Sequence, residues 1–364
     1  MHPNTRIGNG GFSLVEVMVG MIIGMLGIIV VFQVFAASES QKRTTSGGVD
    51  AQVAANTALF TLEREARLGG YGFADTSFLG CNILAYDDQR PAGAKDFTVS
   101  FTPVTITQGA LGTPDTLRVT YSASEVLVVG QAFTQPSPAS ANYKLSNRTG
   151  FNPGDLVVAA ETIAGVPTCT LAEITSTPGT PGNTDVVIHN NGTYTNSAGQ
   201  NVSARYNKPG GLGVTYTAGT LYNLGPLPRS SVFFIEGANR LSTQDDYHFL
   251  DADANAVNDS IELADDVIDL QAQYGVDNNN DGVVSGAEFQ DADPANWARL
   301  KAIRLAILSR SKQLEKTQIT TAAPSWDGGN FTMNNPDAAT DWRNYRYRVH
   351  QTVIPLRNMI WGQN

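Results

Sequence analysis

The residues best suited to chemistry lie in one acidic stretch, residues 277–288, with the sequence DNNNDGVVSGAE. Oxygen-bearing side chains recur along it at regular spacing, and a glycine stands in its middle. Calcium prefers such hard oxygen ligands and accepts them in a flexible geometry. The stretch therefore predicts a calcium site, whose ligands would be Asp277, Asn279, Asp281, the backbone carbonyl of Val283, Ser285 directly or through water, and Glu288.

The spacing fits the loop of an EF-hand, in which a bidentate glutamate closes the coordination sphere and a glycine allows a sharp turn. Glu288 and Gly282 occupy those two positions. The alternative is an Asn/Asp-rich turn between strands, since Asn-Asn-Asp-Gly is a strong turn signal by itself. Residues 251–262 have a similar acidic spacing, but Ala256 stands where the glycine is needed.

Cys81 and Cys169 are the only cysteines of the chain. We expect them to form a disulfide, which would close a loop of about 90 residues and contribute roughly 4–5 kcal/mol in the chain-entropy model. Two buried free thiols are the alternative. The four histidines lie far apart, and the sequence has no signature of a catalytic triad, a nucleotide-binding loop or a zinc site. The sequence therefore argues against an enzyme.

A carboxylate interrupts the apolar run near the N-terminus. Between residues 12 and 37 the only ionisable side chain is Glu16. As a helix this run would extend about 39 Å, enough to cross a hydrocarbon core about 30 Å thick. A charged side chain at the bilayer centre costs about 2.5–3.5 kcal/mol, so Glu16 requires a partner or a function.

The residues before this run are polar, carry Arg6 and end in Gly10-Gly11. An ordinary secretory signal would be cut after its apolar region. By contrast, Gly11, Phe12 and Glu16 in the string GFSLVEVMVGMIIG resemble the class III signal of type IV pilins, which a prepilin peptidase cuts between glycine and phenylalanine before methylating the new amino terminus. The alternative is a single-pass anchor that tolerates an acid.

The resemblance implies a role for Glu16 in assembly. Cleavage after Gly11 would create an ammonium group on Phe12, and a carboxylate in a low dielectric is stabilised chiefly by an opposite charge. Glu16 would then meet the Phe12 amine of a neighbouring subunit. The resemblance also places the amino terminus in the cytoplasm, a single span in the inner membrane and the residues after about 38 in the periplasm, before the protein enters the extracellular pilus.

The rest of the chain is predicted to be rich in β-structure. Only 16% of its residues are charged, whereas it has 35 glycines and 17 prolines, a composition typical of strands joined by turns. The net charge of −10 argues against nucleic acid as a partner. From β-branched and aromatic content and from period-two alternation, strands are expected at 97–107, 116–129, 155–161, 168–175, 185–189, 213–217, 231–236, 266–276, 301–310 and 345–353.

The predicted fold class is α+β and pilin-like, with a long N-terminal helix followed by an antiparallel β-rich globular domain. A leader would occupy residues 1–11 and the transmembrane half of the helix residues 12–37. The amphipathic half, residues 38–69, has apolar positions at Val49, Val53, Phe60 and Leu62, against which the domain could pack. The globular domain would fill residues 70–364, with 266–276 as a half-buried strand.

Four short strings, LEREARLGGYG, QYGVD, KAIRLAILSR and PLRN, resemble the PilW-type minor pilins. This resemblance implies a minor pilin that helps to prime type IV pilus assembly and sits near the pilus tip. Its partners would be the prepilin peptidase, other minor pilins, the major pilin, the inner-membrane assembly platform and a tip adhesin. The alternatives are a pseudopilin of type II secretion and a membrane-anchored calcium-binding adhesin that never polymerises.

Overall fold

The computed structural model describes residues 13–74, 77–110, 113–124, 126, 130–138, 142–237, 239–245, 260–335 and 339–361. Its longest element is the helix α1, Leu14–Leu68. The apolar first half and the absence of proline allow this helix to run without interruption through Gly47 and Gly48. It ends at Gly69-Gly70, where Gly70 adopts a φ of 79° that favours glycine.

The remaining elements are mostly strands. In chain order they are β1 Asn82–Tyr86, β2 Asp96–Ser100, β3 Val104–Thr107, β4 Thr116–Tyr121, β5 Gln131–Ala132, β6 Asn142–Lys144, β7 Leu156–Ile163, β8 Val166–Glu173, β9 Val186–Ile188, β10 Thr193–Thr195, β11 Asn201–Ser203, β12 Thr220–Gly225, β13 Arg229–Glu236, β14 Arg240–Asp245, β15 Ile261–Asp265, β16 Val267–Val276, β17 Phe289–Gln290, β18 Leu300–Arg310, β19 Ser325–Trp326, β20 Gly329–Asn330 and β21 Tyr347–Pro355. A short helix, α2 Arg357–Trp361, follows β21.

Three sheets form the body of the domain. A six-stranded sheet has the order β2-β1-β8-β7-β12-β5, a five-stranded sheet the order β15-β14-β13-β4-β3, and a four-stranded sheet the order β17-β16-β18-β21. All their pairings are antiparallel except the short parallel contact between β1 and β8. The five- and four-stranded sheets are joined at Asp266, whose φ of 62° turns the chain from β15 into β16.

The second half of α1 packs against the five- and four-stranded sheets to form the main core. Its buried side chains are Ala55, Ala58, Leu62 and Ala66, all at most 1% exposed. A second core lies in the six-stranded sheet and contains Cys81 and Cys169, which form a disulfide with a Cα–Cα distance of 6.3 Å. The covalent bond joins the chain just after α1 to the β8 strand of this sheet.

Most of the longer strands expected from the sequence are confirmed, including β18 and also β21, which the alternation at 345–353 predicted. The expectation of a strand at 213–217 is wrong: among these residues only Tyr216 forms an isolated bridge, to Ser137. The long strand expected at 97–107 is divided into β2 and β3. Strands of two or three residues, such as β5 and β6, were not predicted because they are too short to show a period.

The expectation that 266–276 would be half-buried is also wrong. Leu270, Ala272 and Tyr274 face the main core as expected, but Asp269 and Gln273 on the other face are buried as well. Hydrogen bonds make this possible, because Gln273 donates to Asp291 at 2.7 Å and accepts from Arg304. Asp269 accepts from the Gln271 amide at 2.9 Å, and burial raises the pKa of Asp269 to about 6.

One buried histidine belongs to the β6–β9 pair. His189 is 6% exposed and its ring stacks on Tyr143 with centroids 4.3 Å apart. Its Nε2 has no hydrogen-bond partner among the described residues, and it borders a cavity of about 30 Å³ that Tyr206, Asn207 and Lys208 also line. Burial lowers the pKa of His189 to about 4, so the folded protein holds a neutral ring.

We expect the His189→Phe variant to be less sensitive to acid than the wild type. Between pH 6.5 and about 4 the unfolded chain binds a proton at His189 and the folded chain does not, so the wild type loses up to about 3 kcal/mol of stability as pH falls through this window. Phenylalanine keeps the stacked ring and cannot titrate. The measurement is urea unfolding of the detergent-solubilised full chain at pH 7 and pH 4.5.

The quantity to compare is the loss of unfolding free energy between pH 7 and pH 4.5 in the wild type and in the variant. The loss in the wild type alone is not sufficient. The raised pKa of Asp269 acts in the opposite direction over a similar range, because its protonated form is favoured in the folded state and that stability is lost as pH rises. Both proteins share this contribution. Equal losses of stability in wild type and variant would show that His189 is not the acid-sensitive group.

Candidate functional site

The first half of α1 is the most conspicuous unpacked surface of the described chain. Residues 14–39 form a helix long and apolar enough to cross a membrane, and none of this segment is buried by the globular domain. Large apolar side chains such as Met21, Phe32 and Phe35 are about 70% exposed. Such a surface requires a bilayer or other apolar helices around it. The segment therefore fits a single-pass membrane anchor.

Glu16 lies in the first turn of this helix, and its side chain is exposed. The backbone N–H of Glu16 donates to the carbonyl of Ser13 at 2.9 Å. Ser13 is the residue just before the helix, so this bond closes its first turn. A negative charge at a helix N-terminus is favourable because the unpaired N–H groups there carry partial positive charge. Gly11 and Phe12, the expected processing residues, lie outside the described part of the chain.

The buried face of the second half of α1 is made mainly of alanines. Ala55, Ala58 and Ala66, together with Leu62, form the stripe that faces the sheets, and their small side chains let the helix backbone approach closely. The large apolar residues expected on this face lie elsewhere. Val49, Val53 and Phe60 are 51%, 59% and 66% exposed, so only Leu62 of the four expected positions packs into the domain.

The end of α1 is held by the C-terminal part of the chain. The Asn358 side-chain amide lies 3.4, 3.1 and 3.2 Å from the carbonyl oxygens of Arg67, Leu68 and Gly69, which have no partner within the helix. One turn earlier, the Tyr121 hydroxyl donates to Glu65 at 2.6 Å. The helix is therefore fixed to the domain by polar contacts at its end as well as by its alanine stripe.

Close packing at the end of α1 explains why residue 69 is a glycine. A Cβ added to this residue would lie 2.9 Å from the Pro103 carbonyl oxygen. The next residue, Gly70, donates its N–H to the Thr120 carbonyl at 2.9 Å and so connects the end of the helix to β4. The Gly-Gly pair thus allows a turn and a close backbone approach, in addition to ending the helix.

The expected calcium loop connects β16 to a single turn of 3-10 helix, Gly286–Glu288. Asp277 is 3% exposed, and its two carboxylate oxygens accept the N–H groups of Asp281 at 3.1 Å and Gly282 at 2.9 Å. Gly282 has a φ of 84°, as its place in a tight turn requires. Glu288 returns to the start of the loop, where it accepts the N–H of Asn278 at 3.2 Å.

The loop therefore brings the first and last expected ligands to the same end of the turn. Between them, Asp281 accepts the Val283 N–H at 2.8 Å and the Asn279 amide at 2.9 Å, while Ser285 donates its N–H to Glu288 at 2.8 Å. Among the described residues, no group of three His, Cys, Asp or Glu side chains is arranged to hold a metal. The expected calcium ligands of residues 277–288 include amide, hydroxyl and carbonyl oxygens in addition to three carboxylates. The second acidic string lies largely outside the described residues.

Comparison with known proteins gives one family match, in the C-terminal third of the chain. Residues 239–358 match the model of the PilW family, described as type IV pilus-assembly protein W. No curated protein and no solved structure gives a match. The chain is thus PilW-like over these residues, and the match supports its involvement in type IV pilus assembly. The family is one of pilus assembly proteins and not of enzymes.

The matched region includes most of the elements that hold the helix, although β4 lies outside it. It contains β15, β16, β18 and β21, and it ends at Asn358. Sequence reasoning identified the string that contains Asn358 only as a resemblance and missed its contact with α1. The signal available was a side-chain amide shortly after Pro355, but nothing in the sequence specifies that it reaches a helix end nearly 300 residues earlier.

We expect Asn358→Ala to destabilise the protein by about 1 kcal/mol, the typical net contribution of a hydrogen bond, because the carbonyls of Arg67 and Gly69 lose the Asn358 donor, whereas Leu68 keeps the Tyr71 N–H. Asn358→Asp should be worse, since a carboxylate cannot donate and is unfavourable at a helix C-terminus. Thermal unfolding of the detergent-solubilised chain measures both. Asn330→Ala, at an exposed residue of β20, is the matched control, and equal effects at the two sites would remove the role assigned to Asn358.

Proposed function

We propose that this chain is a minor pilin that helps to prime assembly of the type IV pilus and is incorporated at or near its tip. The observation that carries the proposal is that the PilW-like region supplies most of the strands that pack against a helix with an exposed, membrane-length apolar half. A pilin is expected to have this arrangement, in which one helix first anchors the subunit in the membrane and then packs in the filament.

The same arrangement, together with the resemblance of residues 10–16 to a prepilin leader, supports a proposed location. The helix would first lie in the inner membrane with its amino terminus in the cytoplasm and the β-rich domain in the periplasm. On assembly, the apolar surface would exchange lipid for the helices of other subunits, and the exposed side chains of Val49, Val53 and Phe60 would extend this contact beyond the membrane segment. The PilW match favours the pilus over a type II secretion pseudopilus.

The proposed partners are the prepilin peptidase, which would cut between Gly11 and Phe12, the other minor pilins, the major pilin, the assembly platform and a tip adhesin. Glu16 would neutralise the Phe12 ammonium of a neighbouring subunit. In an apolar surrounding both charges need this pairing, because an unpaired charge there is costly. Pairing between subunits would also set the axial position of each helix in the filament.

We expect Glu16→Ala to insert into the membrane at least as well as the wild type, and to be incorporated into pili at a level reduced about tenfold or more. The substitution removes the cost of the acid in the bilayer together with the partner of the Phe12 ammonium. Quantitative immunoblots of membranes and sheared pili measure the two steps separately. Glu39→Ala, at the other end of the apolar segment, is the control. Wild-type amounts of Glu16→Ala in pili would contradict the proposed pairing.

We also propose that the 277–288 loop binds one calcium ion. What favours this over a simple turn is the buried Asp277 carboxylate, which two backbone N–H groups hold in a fixed orientation, and the return of Glu288 to the start of the loop. Each carboxylate oxygen that accepts an N–H keeps a lone pair for a metal. Calcium suits the mixed set of oxygen ligands better than magnesium does.

Calcium at about 100 times its dissociation constant should stabilise the folded chain by about 2.7 kcal/mol, if the metal binds only the folded state. We expect a rise in the melting temperature with calcium and a smaller one with magnesium. Asp277→Ala combined with Glu288→Ala should abolish the rise, whereas Glu262→Gln, at an exposed acid of β15, should retain it. A titration without calcium binding at millimolar concentration would reduce the loop to a turn.

A further inference from the structure

The four-stranded sheet ends in a long open edge. Its last strand, β21, has nine residues and pairs with β18 on one side, and no described strand pairs with its other side. The edge strands elsewhere in the three main sheets, β2, β3, β5, β15 and β17, have five residues or fewer. Proteins usually keep edge strands short or cover them, because unpaired backbone groups invite another strand.

The register shows which backbone groups face outward. The Leu356 N–H donates to the Lys301 carbonyl at 2.8 Å, and the Ser311 N–H donates to the Arg346 carbonyl at 2.9 Å. Because bonded residues alternate along an antiparallel pair, the even-numbered residues of β21 direct their backbone groups to β18. The outward groups are therefore those of the odd-numbered residues Tyr347, Val349, Gln351 and Val353. Pro355 offers a carbonyl only and ends the edge.

The side chains divide β21 into two faces. His350 and Ile354 face α1, as shown by the 2.9 Å contact between His350 Nδ1 and the Asn56 side-chain oxygen. Arg348 shares this face, because alternate side chains of a strand point the same way. Val349 packs on the opposite face beside Trp326 and Phe331. Val353 is on this face also and is 51% exposed.

The charge of this edge is opposite to that of the protein. Residues 342–361 contain Arg343, Arg346, Arg348 and Arg357 and no acid, in a chain of net charge −10. Arg343 and Arg346 have ion pairs with Asp341 and Glu315. Arg348 is exposed and has no ion pair with a described residue. A segment that pairs with β21 would place its side chains beside Arg348 on one face and beside Val353 on the other.

We propose that the outer edge of β21 receives an extended segment of a different polypeptide in which acidic and apolar residues alternate. Backbone hydrogen bonds to residues 347–353 would give the affinity, as in other cases of strand addition. Carboxylates would lie beside Arg348, and apolar side chains would cover Val353. The neighbouring hairpin contacts β21 through side chains, with Asp327 bonded to the Gln351 amide, and no described residue pairs with the outward backbone groups of residues 347–353.

Site-specific photo-cross-linking of the full chain in cells that assemble pili tests this inference. A benzophenone amino acid replaces Gln351 or Val353, one at a time, and cross-linked peptides from the total cell envelope are sequenced by mass spectrometry. We expect both probes to reach one extended acidic and apolar segment of another protein, at positions about two residues apart. A probe at Val166, exposed in the β7–β8 turn, should not reach it.

Three variants show whether the contact is a strand pairing. With the probe at Gln351, Val353→Pro should reduce the cross-link yield at least twofold because it removes an outward N–H, and Val353→Thr, which keeps the N–H, should not. Arg348→Glu should lower the yield about two- to fivefold, as expected for like charges on adjacent strands, and Arg348→Lys should preserve it.

Cross-links to a helix, to a second copy of this chain or to scattered sites would overturn the inference, as would a full yield from Val353→Pro. Because the cross-links are scored in the whole envelope, this outcome is independent of the proposed function. Incorporation of the same proteins into sheared pili is measured separately, so a chain that cross-links but never enters pili contradicts the minor pilin role and not the strand pairing.

Discussion

The structure depends on one packing contact, the alanine stripe of α1 against the five- and four-stranded sheets. Ala55, Ala58 and Ala66 let the helix lie close to the sheets, and Leu62 fills the space between them. Burial of this stripe gives the helix a fixed direction, which the polar contacts at Glu65 and Asn358 reinforce. Since the domain covers only the second half, the apolar first half must find its own non-aqueous surroundings. This first half fits a single-pass membrane anchor.

The helix presents different surfaces along its length. Before residue 40 every described side chain is exposed and almost all are apolar, whereas the docked part combines a buried alanine face with an outer face that carries Val53 and Phe60. An outer face of this kind extends the apolar surface past the thickness of a membrane. In the proposed function this face would contact the helices of neighbouring subunits, and its larger apolar residues would therefore be kept away from the buried stripe.

Much of the architecture could be predicted from local pattern. The apolar run identified the helix, and alternating residues identified β16 and β21, because each of these elements is long enough to show its period. The burial of both faces of β16 could not be predicted. It depends on Asp291 and Arg304, which are distant in the sequence and form hydrogen bonds with the buried side chain of Gln273. Likewise, the buried face of α1 was misjudged because side-chain size suggested Val53 and Phe60, whereas close approach requires alanine.

The central claim is that the chain is a processed pilus subunit, and the mass of its N-terminal peptide tests this most directly. The measurement is mass spectrometry of the protein recovered from sheared pili. The account predicts a peptide that begins at Phe12 and carries one N-methyl group, with residues 1–11 absent. Recovery of the chain from pili with residues 1–11 intact, or its complete absence from pili of cells that produce it, would contradict the account.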